Sequence, residues 1–338
     1  KLREAKYWGA ELGKLKGHEI QPIVSKLVEL TRRQPLRKLR HTGEYHAESM
    51  ERLNSIADGT CVAGLPTNLT ALNDMLRGGL HQSEMQIIAA RPSHGKTAIA
   101  LQIAWHVAHT LDHPVAFFSV EMGHGALMER LYAHAAGVQV HRIRERFQAQ
   151  GELDKANSLA EALRRAPLYL DDSAGIDVNT LAARVTRWAE EHPHPLIIVD
   201  YLQLLKVVGY SKASREGDVA NMSATLKQLA RELDCPVVVL CQLNRESEKE
   251  PDAYKKLAYL RESGAIEQDA DLVLILAAAT KPEQTALVAD GYTEQDAADA
   301  VIFCAAKQRN GPTGKLCFRF DRQGQRFYPM SKQNQSQP

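Results

Sequence analysis

Cysteine is scarce in this 338-residue sequence, and no long apolar run is present. The five cysteines form no CxxC pair and show no metal-ligand spacing, and Cys235, Cys241 and Cys304 lie in or beside apolar runs. We therefore expect buried free thiols in a reducing compartment. No apolar run approaches the roughly 20 residues that a membrane helix needs, and no signal-peptide pattern opens the chain. These absences predict a cytoplasmic protein that does not use a membrane.

The sequence also lacks an excess of charge of either sign. Its formal net charge is +1, with 44% apolar and 25% charged residues, which is ordinary for a soluble globular protein. A polyanion needs only a local stripe of cations, so this balance neither requires nor excludes nucleic acid as a partner. The length permits one large domain or two small ones. Because the first residue is lysine and not methionine, we expect a fragment or a processed product.

From residue 85 onward, short apolar segments alternate with amphipathic ones. Several of the apolar segments are nearly continuous runs of Val, Ile and Leu, which is typical of strands buried on both faces. The segments between them carry apolar residues at helical spacing. This alternation predicts an α/β fold with a mostly parallel sheet covered by helices, and an antiparallel hairpin at residues 314–329. The predicted strands are 85–90, 114–119, 167–171, 195–200, 236–242, 271–277 and 300–307.

The first 58 residues have a different pattern, which predicts three short helices. Five cations crowd residues 32–40 of this segment, and they fit either a solvated linker or a nucleic-acid contact. No internal repeat or low-complexity tract precedes the polar tail. We expect this tail, residues 331–338, to be disordered.

The stretch "IIAARPSHGKTAIAL" reads as a strand, a loop and the start of a helix. A P-loop needs backbone N–H groups around phosphates, a lysine for the terminal phosphates and a hydroxyl for magnesium. Lys96 and Thr97 fit the last two roles, and Gly95 lets the backbone approach the phosphate. Ala90 occupies the position of the usual first glycine, so a chance similarity stays open on this motif alone. The residues predicted to surround the nucleotide are Ser93, His94, Gly95, Lys96, Thr97 and Ala98.

Two acidic residues end separate predicted strands. Asp200 ends "LIIVD" and fits a residue that supports magnesium, and Glu121 follows "VAFFSV" and fits a group that polarises an attacking water. A helix cap for Glu121 and a turn for Asp200 are the alternatives. Near one P-loop, two acids at the carboxyl ends of strands form the arrangement that ATP hydrolysis requires.

Lys307 and Arg309 are two residues apart at the end of the last long apolar strand, and the turn Asn310-Gly311-Pro312 follows. On a strand these two cations project from the same face. Surface decoration is one interpretation of such a pair.

Taken together, the segments in this order resemble the DnaB-type hexameric replicative DNA helicases, which have a RecA-like core. The resemblance covers about residues 59–320. It implies a RecA-like P-loop NTPase core at 59–330, preceded by a small α-helical linker or collar at 1–58. The matching segments are "GLPTNLTALNDMLRGGL", "ARPSHGKTA", "FFSVEM", "LIIVDYLQLL", "CQLNRESE", "LRESGAIEQDADLVL" and "AAKQRNGPTG".

The resemblance implies ATP and Mg²⁺ as cofactors and a role for each matched residue. It makes Glu121 the catalytic base, and Thr97 and Asp200 the metal-binding pair beside Lys96. Gln242 would contact the γ-phosphate and report its loss to DNA-binding loops. Lys307 and Arg309 would reach the γ-phosphate of an adjacent protomer, Arg309 as an arginine finger. The positions that would grip single-stranded DNA are Arg261, Glu262 and Gly264, and a helix cap is the alternative for that loop.

The resemblance further implies a homohexamer that moves 5′→3′ on single-stranded DNA, unwinds forks, and meets a primase and a helicase loader. The chain departs from the family at His94, where methionine is common, and at 278–299, which forms either an extra helix or a surface loop. Residues 1–58 do not clearly match the family's amino-terminal domain. The alternatives are a RecA-like recombinase that forms filaments and a helicase-assembly factor that uses nucleotide as a switch.

Overall fold

A computed structural model of the protein describes residues 41–58, 64–141, 150–202, 205, 215–260, 264–330 and 332. The first two helices expected before residue 41, and the expected disorder of 331–338 apart from Lys332, lie outside these residues. The third expected helix is confirmed as α1, Gly43–Ala57.

One nine-stranded sheet organises the rest of the chain, in the order β3-β2-β4-β5-β1-β6-β7-β8-β9. The strands are β1 Met85–Ala90, β2 Val115–Ser119, β3 Leu168–Asp171, β4 Leu196–Asp200, β5 Val237–Gln242, β6 Leu272–Ala278, β7 Ala300–Gln308, β8 Gly314–Asp321 and β9 Arg326–Pro329. Each predicted strand is confirmed to within one residue at either end.

Helices connect the strands and cover the sheet. After α1 they are α2 Thr70–Met75, α3 Lys96–Trp105, α4 His124–Ala136, α5 Gln150–Arg165, α6 Val178–Ala189, α7 Arg215–Glu232, α8 Gly264–Asp269, α9 Lys281–Ala289 and α10 Glu294–Ala298. A π-helical turn, His106–Thr110, extends α3, and 3₁₀ turns occupy Arg245–Lys249 and Lys255–Tyr259. Within the described residues, none of these helices is both long and apolar enough to cross a bilayer.

Burial explains the continuous apolar runs. Successive β1 residues alternate between two hydrophobic cores, with Ile87 in one and Ile88 in the other, because adjacent side chains of a strand point to opposite faces. Helix α3 packs into one core, and α6 and α7 pack into the other. A strand covered on both faces has no polar side, which is the pattern that the sequence shows.

Strand direction gives the sheet two different edges. The strands β1 to β6 run parallel, so their carboxyl ends meet at one edge, here named the carboxyl edge, where Ala90 pairs with Gln242 and Ser119 with Asp200. From β6 to β9 the pairing is antiparallel, which confirms the hairpin at 314–329. The segment 279–299 forms the helices α9 and α10 and not a surface loop, and it brings β7 back along β6 in the opposite direction.

The prediction of buried free thiols is confirmed for three cysteines. Cys235, Cys241 and Cys304 are free and buried, whereas Cys61 lies outside the described residues. Burial raises the pKa of Cys235 and of Cys241 to about 12, and that of Cys304 to about 11. These thiols stay protonated and unreactive at neutral pH.

Candidate active site

The loop between β1 and α3 turns sharply at Gly95, immediately before Lys96 begins the helix. Gly95 has φ +84°, and a Cβ at this position would lie 2.6 Å from the Phe327 ring. A side chain is therefore excluded by backbone conformation and by the β9 strand packed behind the loop. The chain thus turns directly from the loop into the helix that Lys96 begins.

Lys96 and Thr97 both contact Asp200, the last residue of β4. The Thr97 hydroxyl donates to Oδ2 of Asp200 at 2.7 Å, and Nζ of Lys96 lies 3.1 Å from Oδ1. Asp200 is fully buried. The structure thus brings together an ammonium, a hydroxyl and a carboxylate that the sequence separates by about a hundred residues.

Glu121 faces this group from the loop after β2. Its Oε2 lies 3.8 Å from Nζ of Lys96, and its side chain is 46% exposed. Helix α4 begins at His124, whose backbone N–H donates to Asp172 at 2.9 Å, and no side chain caps the helix from its N-cap residue Gly123. Among the described residues, the capping role is thus filled by Asp172, and the alternative interpretation of Glu121 as a helix cap loses its support.

A cavity of about 450 Å³ opens over these residues at the carboxyl edge. Its size is typical of small-molecule sites. Of the predicted nucleotide-binding residues, all but His94 line it, and burial lowers the pKa of His94 below its usual range. The lining of the cavity includes Ser93, Gly95, Lys96, Thr97, Ala98, Glu121 and Gln242.

Three further residues of the site were not singled out from the sequence. Nζ of Lys96 lies 3.9 Å from the ring centroid of Tyr201, a cation–π contact. Arg322 donates to the carbonyl of Ser93 at 3.0 Å, and Arg130 also lines the cavity. Tyr201 directly follows Asp200, so its position in the sequence could have indicated it. Arg322 gives no local signal because it comes from the β8–β9 turn.

The segment after Gln242 is tied to the start of the P-loop. Arg91 donates to the carbonyl of Leu243 at 2.9 Å and pairs with Glu248 at 2.7 Å, and the N–H of Leu243 donates to Ala90. These contacts connect the end of β5 to the P-loop and to the 3₁₀ turn that contains Glu248. A shift of Gln242 would therefore displace both.

Lys307 and Arg309 lie at the other edge of the sheet, here named the amino edge. The N–H of Arg309 donates to the carbonyl of Asp271 at 2.8 Å, and that of Asp271 donates to Met85, the first residue of β1. The P-loop begins only after the last residue of β1, about 16 Å away for five strand steps. The structure does not bring these two cations to the cavity of their own chain. Both cations lie against the same helix, because both donate to carbonyls at the end of α8.

The predicted DNA-binding residues are only partly described. Arg261 and Glu262 lie outside the described residues, and Gly264 is the exposed first residue of α8. A Cβ at Gly264 would meet no atom of the described residues within 4 Å, so packing among them does not explain this glycine.

Comparison with known proteins gives a consistent result. The family model described as "DnaB-like helicase C terminal domain" matches residues 64–329. The chain is 35% identical over 273 residues to "Replicative DNA helicase DnaC" of Bacillus subtilis and 38% identical over 279 residues to "Replicative DNA helicase DnaB" of Leifsonia xyli. These alignments cover 80% and 81% of the chain, and the chain spans only 58% and 57% of those relatives.

Two solved structures share the fold. One is a separately solved ATPase domain, which superposes with a TM-score of 0.75 at 30% identity, covering 87% of this chain and 100% of that one. "The Structure Of A DnaB-Like Replicative Helicase And Its Interactions With Primase" has the same TM-score at 29% identity, covering 97% of this chain and 76% of that one. The fold is therefore that of a DnaB-like ATPase domain.

Proposed function

The chain belongs to the DnaB-like helicase C-terminal domain family, and we propose that it is the motor of a ring-shaped replicative DNA helicase that hydrolyses ATP. The observation that carries this proposal is the meeting of Lys96, Thr97, Asp200 and Glu121 at the carboxyl edge of a RecA-like sheet. The motor moves 5′→3′ on single-stranded DNA and unwinds the duplex at a replication fork. The buried free thiols fit a reducing cytoplasm.

The site fits a magnesium nucleotide by its own chemistry. Nζ of Lys96 and Oδ1 of Asp200 are buried, and neither makes a well-aligned hydrogen bond within the described residues, although they form an ion pair. Phosphate oxygens would satisfy the ammonium, and the Thr97 hydroxyl and the Asp200 carboxylate offer the oxygen ligands that Mg²⁺ prefers, directly or through water. When bound, Mg²⁺ neutralises charge on the β- and γ-phosphates.

Glu121 acts as the base that orients and polarises the attacking water. Its carboxylate lines the cavity and is half exposed, so water has access to it. Lys96 holds the terminal phosphates within the loop and is itself confined between carboxylates and the Tyr201 ring. Gln242, at the end of β5, contacts the γ-phosphate, and the Arg91–Glu248 pair links its strand end to the P-loop.

Lys307 and Arg309 serve the active site of a neighbouring protomer in a homohexamer. Their position at the amino edge supports this role, because no side chain spans the length of β1 to reach its own P-loop. An arginine finger supplied by the neighbour makes hydrolysis depend on assembly. Arg261, Glu262 and Gly264 contact the phosphates of single-stranded DNA, with backbone N–H groups making contacts that the glutamate cannot make.

A primase and a helicase loader are further proposed partners. The structural neighbour whose title names a primase supports the first of them. Residues 1–58 form the linker or collar, 59–330 the motor, and 331–338 a tail.

The proposal is tested by unwinding forked DNA with either a 5′ or a 3′ single-stranded tail, with ATP and Mg²⁺. We expect unwinding that needs a 5′ tail, and closed six-membered rings in electron micrographs of the same sample. Glu121→Gln protein is the control for contaminating helicase. Filaments that exchange strands would instead identify a recombinase, and nucleotide binding without turnover would identify an assembly switch.

A further inference from the structure

Asp271 lies at the amino edge, directly before β6, and its carboxylate is buried. Three donors from the described part of the chain surround it. The N–H of Met85 and the ammonium of Lys227 donate to Oδ2 at 2.8 Å and 2.5 Å, and a terminal nitrogen of Arg309 donates to Oδ1 at 3.2 Å. Each carboxylate oxygen therefore has a partner, as a buried charge requires.

Arg309 makes two hydrogen bonds to Asp271. Besides the side-chain contact, the N–H of Arg309 donates to the carbonyl of Asp271. Its second terminal nitrogen donates to the carbonyl of Gln268 at the end of α8, and Lys307 donates to the carbonyls of Glu267 and Gln268. The two cations share the end of one helix, and Asp271 fixes the guanidinium from the other side.

These contacts hold the guanidinium group of Arg309 and leave some of its N–H donors available. Arginine carries five N–H donors, and among the described residues Asp271 and Gln268 accept from two of them. The Arg309 side chain is 48% exposed, so it stays accessible at the surface. A group fixed at two points has already lost the rotational freedom that binding would otherwise remove.

The charges at this place include more than the Asp271–Arg309 pair. Asp271 is the counter-ion of Lys227 as well as of Arg309. One negative charge shared by two cations does not neutralise both. Lys307 adds a third cation against the same helix end. The carboxylates of Glu267 and Asp269 also act on Lys307, so the contacts fix the position of Arg309 and do not give the group an excess of positive charge.

We propose that Asp271, supported by Lys227, is the positioning residue of the arginine finger: it orients Arg309 toward the neighbouring protomer's phosphate. This inference rests on the proposed action of Arg309 across the interface. Asp271 touches no reacting atom and acts through Arg309 alone. A resting contact that must break before catalysis is the rival explanation, and it predicts the opposite sign when the carboxylate is removed.

The test uses Asp271→Asn in the full chain, because asparagine can still accept from the Met85 N–H while losing the charge that holds Arg309. We expect kcat for DNA-stimulated ATP hydrolysis to fall about 10- to 100-fold, as for a displaced catalytic group, with little change in KM. In the Arg309→Ala background the same substitution should have no further effect. A rise in kcat would overturn the proposal.

Mixed rings separate positioning from a general structural role. Asp271→Asn subunits have an intact P-loop, so they should recover hydrolysis when mixed with Lys96→Ala subunits, which carry an intact finger. They should not recover it when mixed with Arg309→Ala subunits. Recovery with Arg309→Ala, or failure with both partners, contradicts the inference.

Two controls complete the experiment. Mixing Arg309→Ala with Lys96→Ala tests the action across the interface by itself. If this control fails, the proposed role of Arg309 is wrong and the inference falls with it, whereas success leaves Asp271 as the one claim under test. If Asp271→Asn does not assemble, Lys227→Met replaces it. That variant removes a donor that holds the Asp271 carboxylate in place, so it should lower kcat. It should recover hydrolysis when mixed with Lys96→Ala and not when mixed with Arg309→Ala, and an unchanged kcat would reject the proposal.

Discussion

The Thr97 hydroxyl donates a 2.7 Å hydrogen bond to Asp200, which is fully buried at the end of β4. The contact joins the first turn of α3 to a neighbouring strand. It aligns the two oxygens proposed to hold magnesium before any nucleotide arrives, so the cost of ordering them does not fall on the binding step.

Replacing Thr97 by alanine should lower the affinity of the active site for magnesium, because one of the two aligned oxygens is lost. Thr97→Ser is the matched control, since serine keeps the hydroxyl. We expect the alanine variant to need more Mg²⁺ for half-maximal turnover and the serine variant to behave like the parent. Equal magnesium titrations for all three proteins would remove Thr97 from the metal site.

Glu121→Gln should bind nucleotide normally and lose turnover by about 10²–10⁴-fold, the range for loss of a general base. Glutamine preserves the size of the side chain but cannot accept a proton. Glu191→Gln, at an exposed position beyond α6, controls for the loss of one negative charge. Affinity for a fluorescent ATP analogue and steady-state turnover are measured on the same samples. Near-normal turnover would show that another group activates the water.

Arg309→Ala should form rings and bind nucleotide yet hydrolyse ATP about 10³–10⁵-fold more slowly, as expected for a missing arginine finger. Lys96→Ala should also be nearly inactive, because its phosphate site is impaired. After confirmed subunit exchange, mixtures should regain hydrolysis wherever an intact Arg309 meets an intact Lys96. A titration in which no mixture exceeds the two separate baselines is incompatible with action across the interface.

Affinity for single-stranded DNA should fall steeply with salt and depend little on base order, because phosphate contacts release counterions irrespective of sequence. Arg261→Ala should weaken binding to all single strands alike and reduce the salt slope. Arg164→Ala is the control, since this side chain is highly exposed on α5 and pairs with Glu161. Fluorescence anisotropy at several salt concentrations provides the measurement. A strong sequence preference would be at odds with phosphate recognition.

The protein should lose stability as pH falls from about 6.5 to about 4, because of His134. Burial, followed by nearby Arg326, lowers the pKa of His134 to about 4. The unfolded chain binds this proton near pH 6.5, so acidification favours unfolding until the folded state is protonated as well. The full effect corresponds to roughly 3 kcal/mol. Denaturant titrations across this range should show a smaller pH slope for His134→Leu; an unchanged slope assigns the effect to other groups.

The sequence by itself determined the strands and the chemistry of each strand end. Continuous apolar runs such as "PLIIVD" are typical of strands buried on both faces, so the strands could be predicted without knowledge of tertiary contacts. Gly95, Lys96 and Thr97 could also be predicted from the sequence, because a P-loop is built from adjacent residues. The sequence also shows an acid at the end of β4, Asp200, and another two residues after β2, Glu121.

Tertiary structure alone decided which edge each functional group occupies. The connection from Ala278 to Ala300 begins and ends at the carboxyl edge, so β7 runs back and carries Lys307 and Arg309 to the amino edge. No local sequence pattern predicts the direction of β7, because that direction depends on how α9 and α10 pack. The same holds for Asp271, whose sequence position resembles a strand start. Only folding brings Met85, Lys227 and Arg309 to its carboxylate, since each comes from a different element.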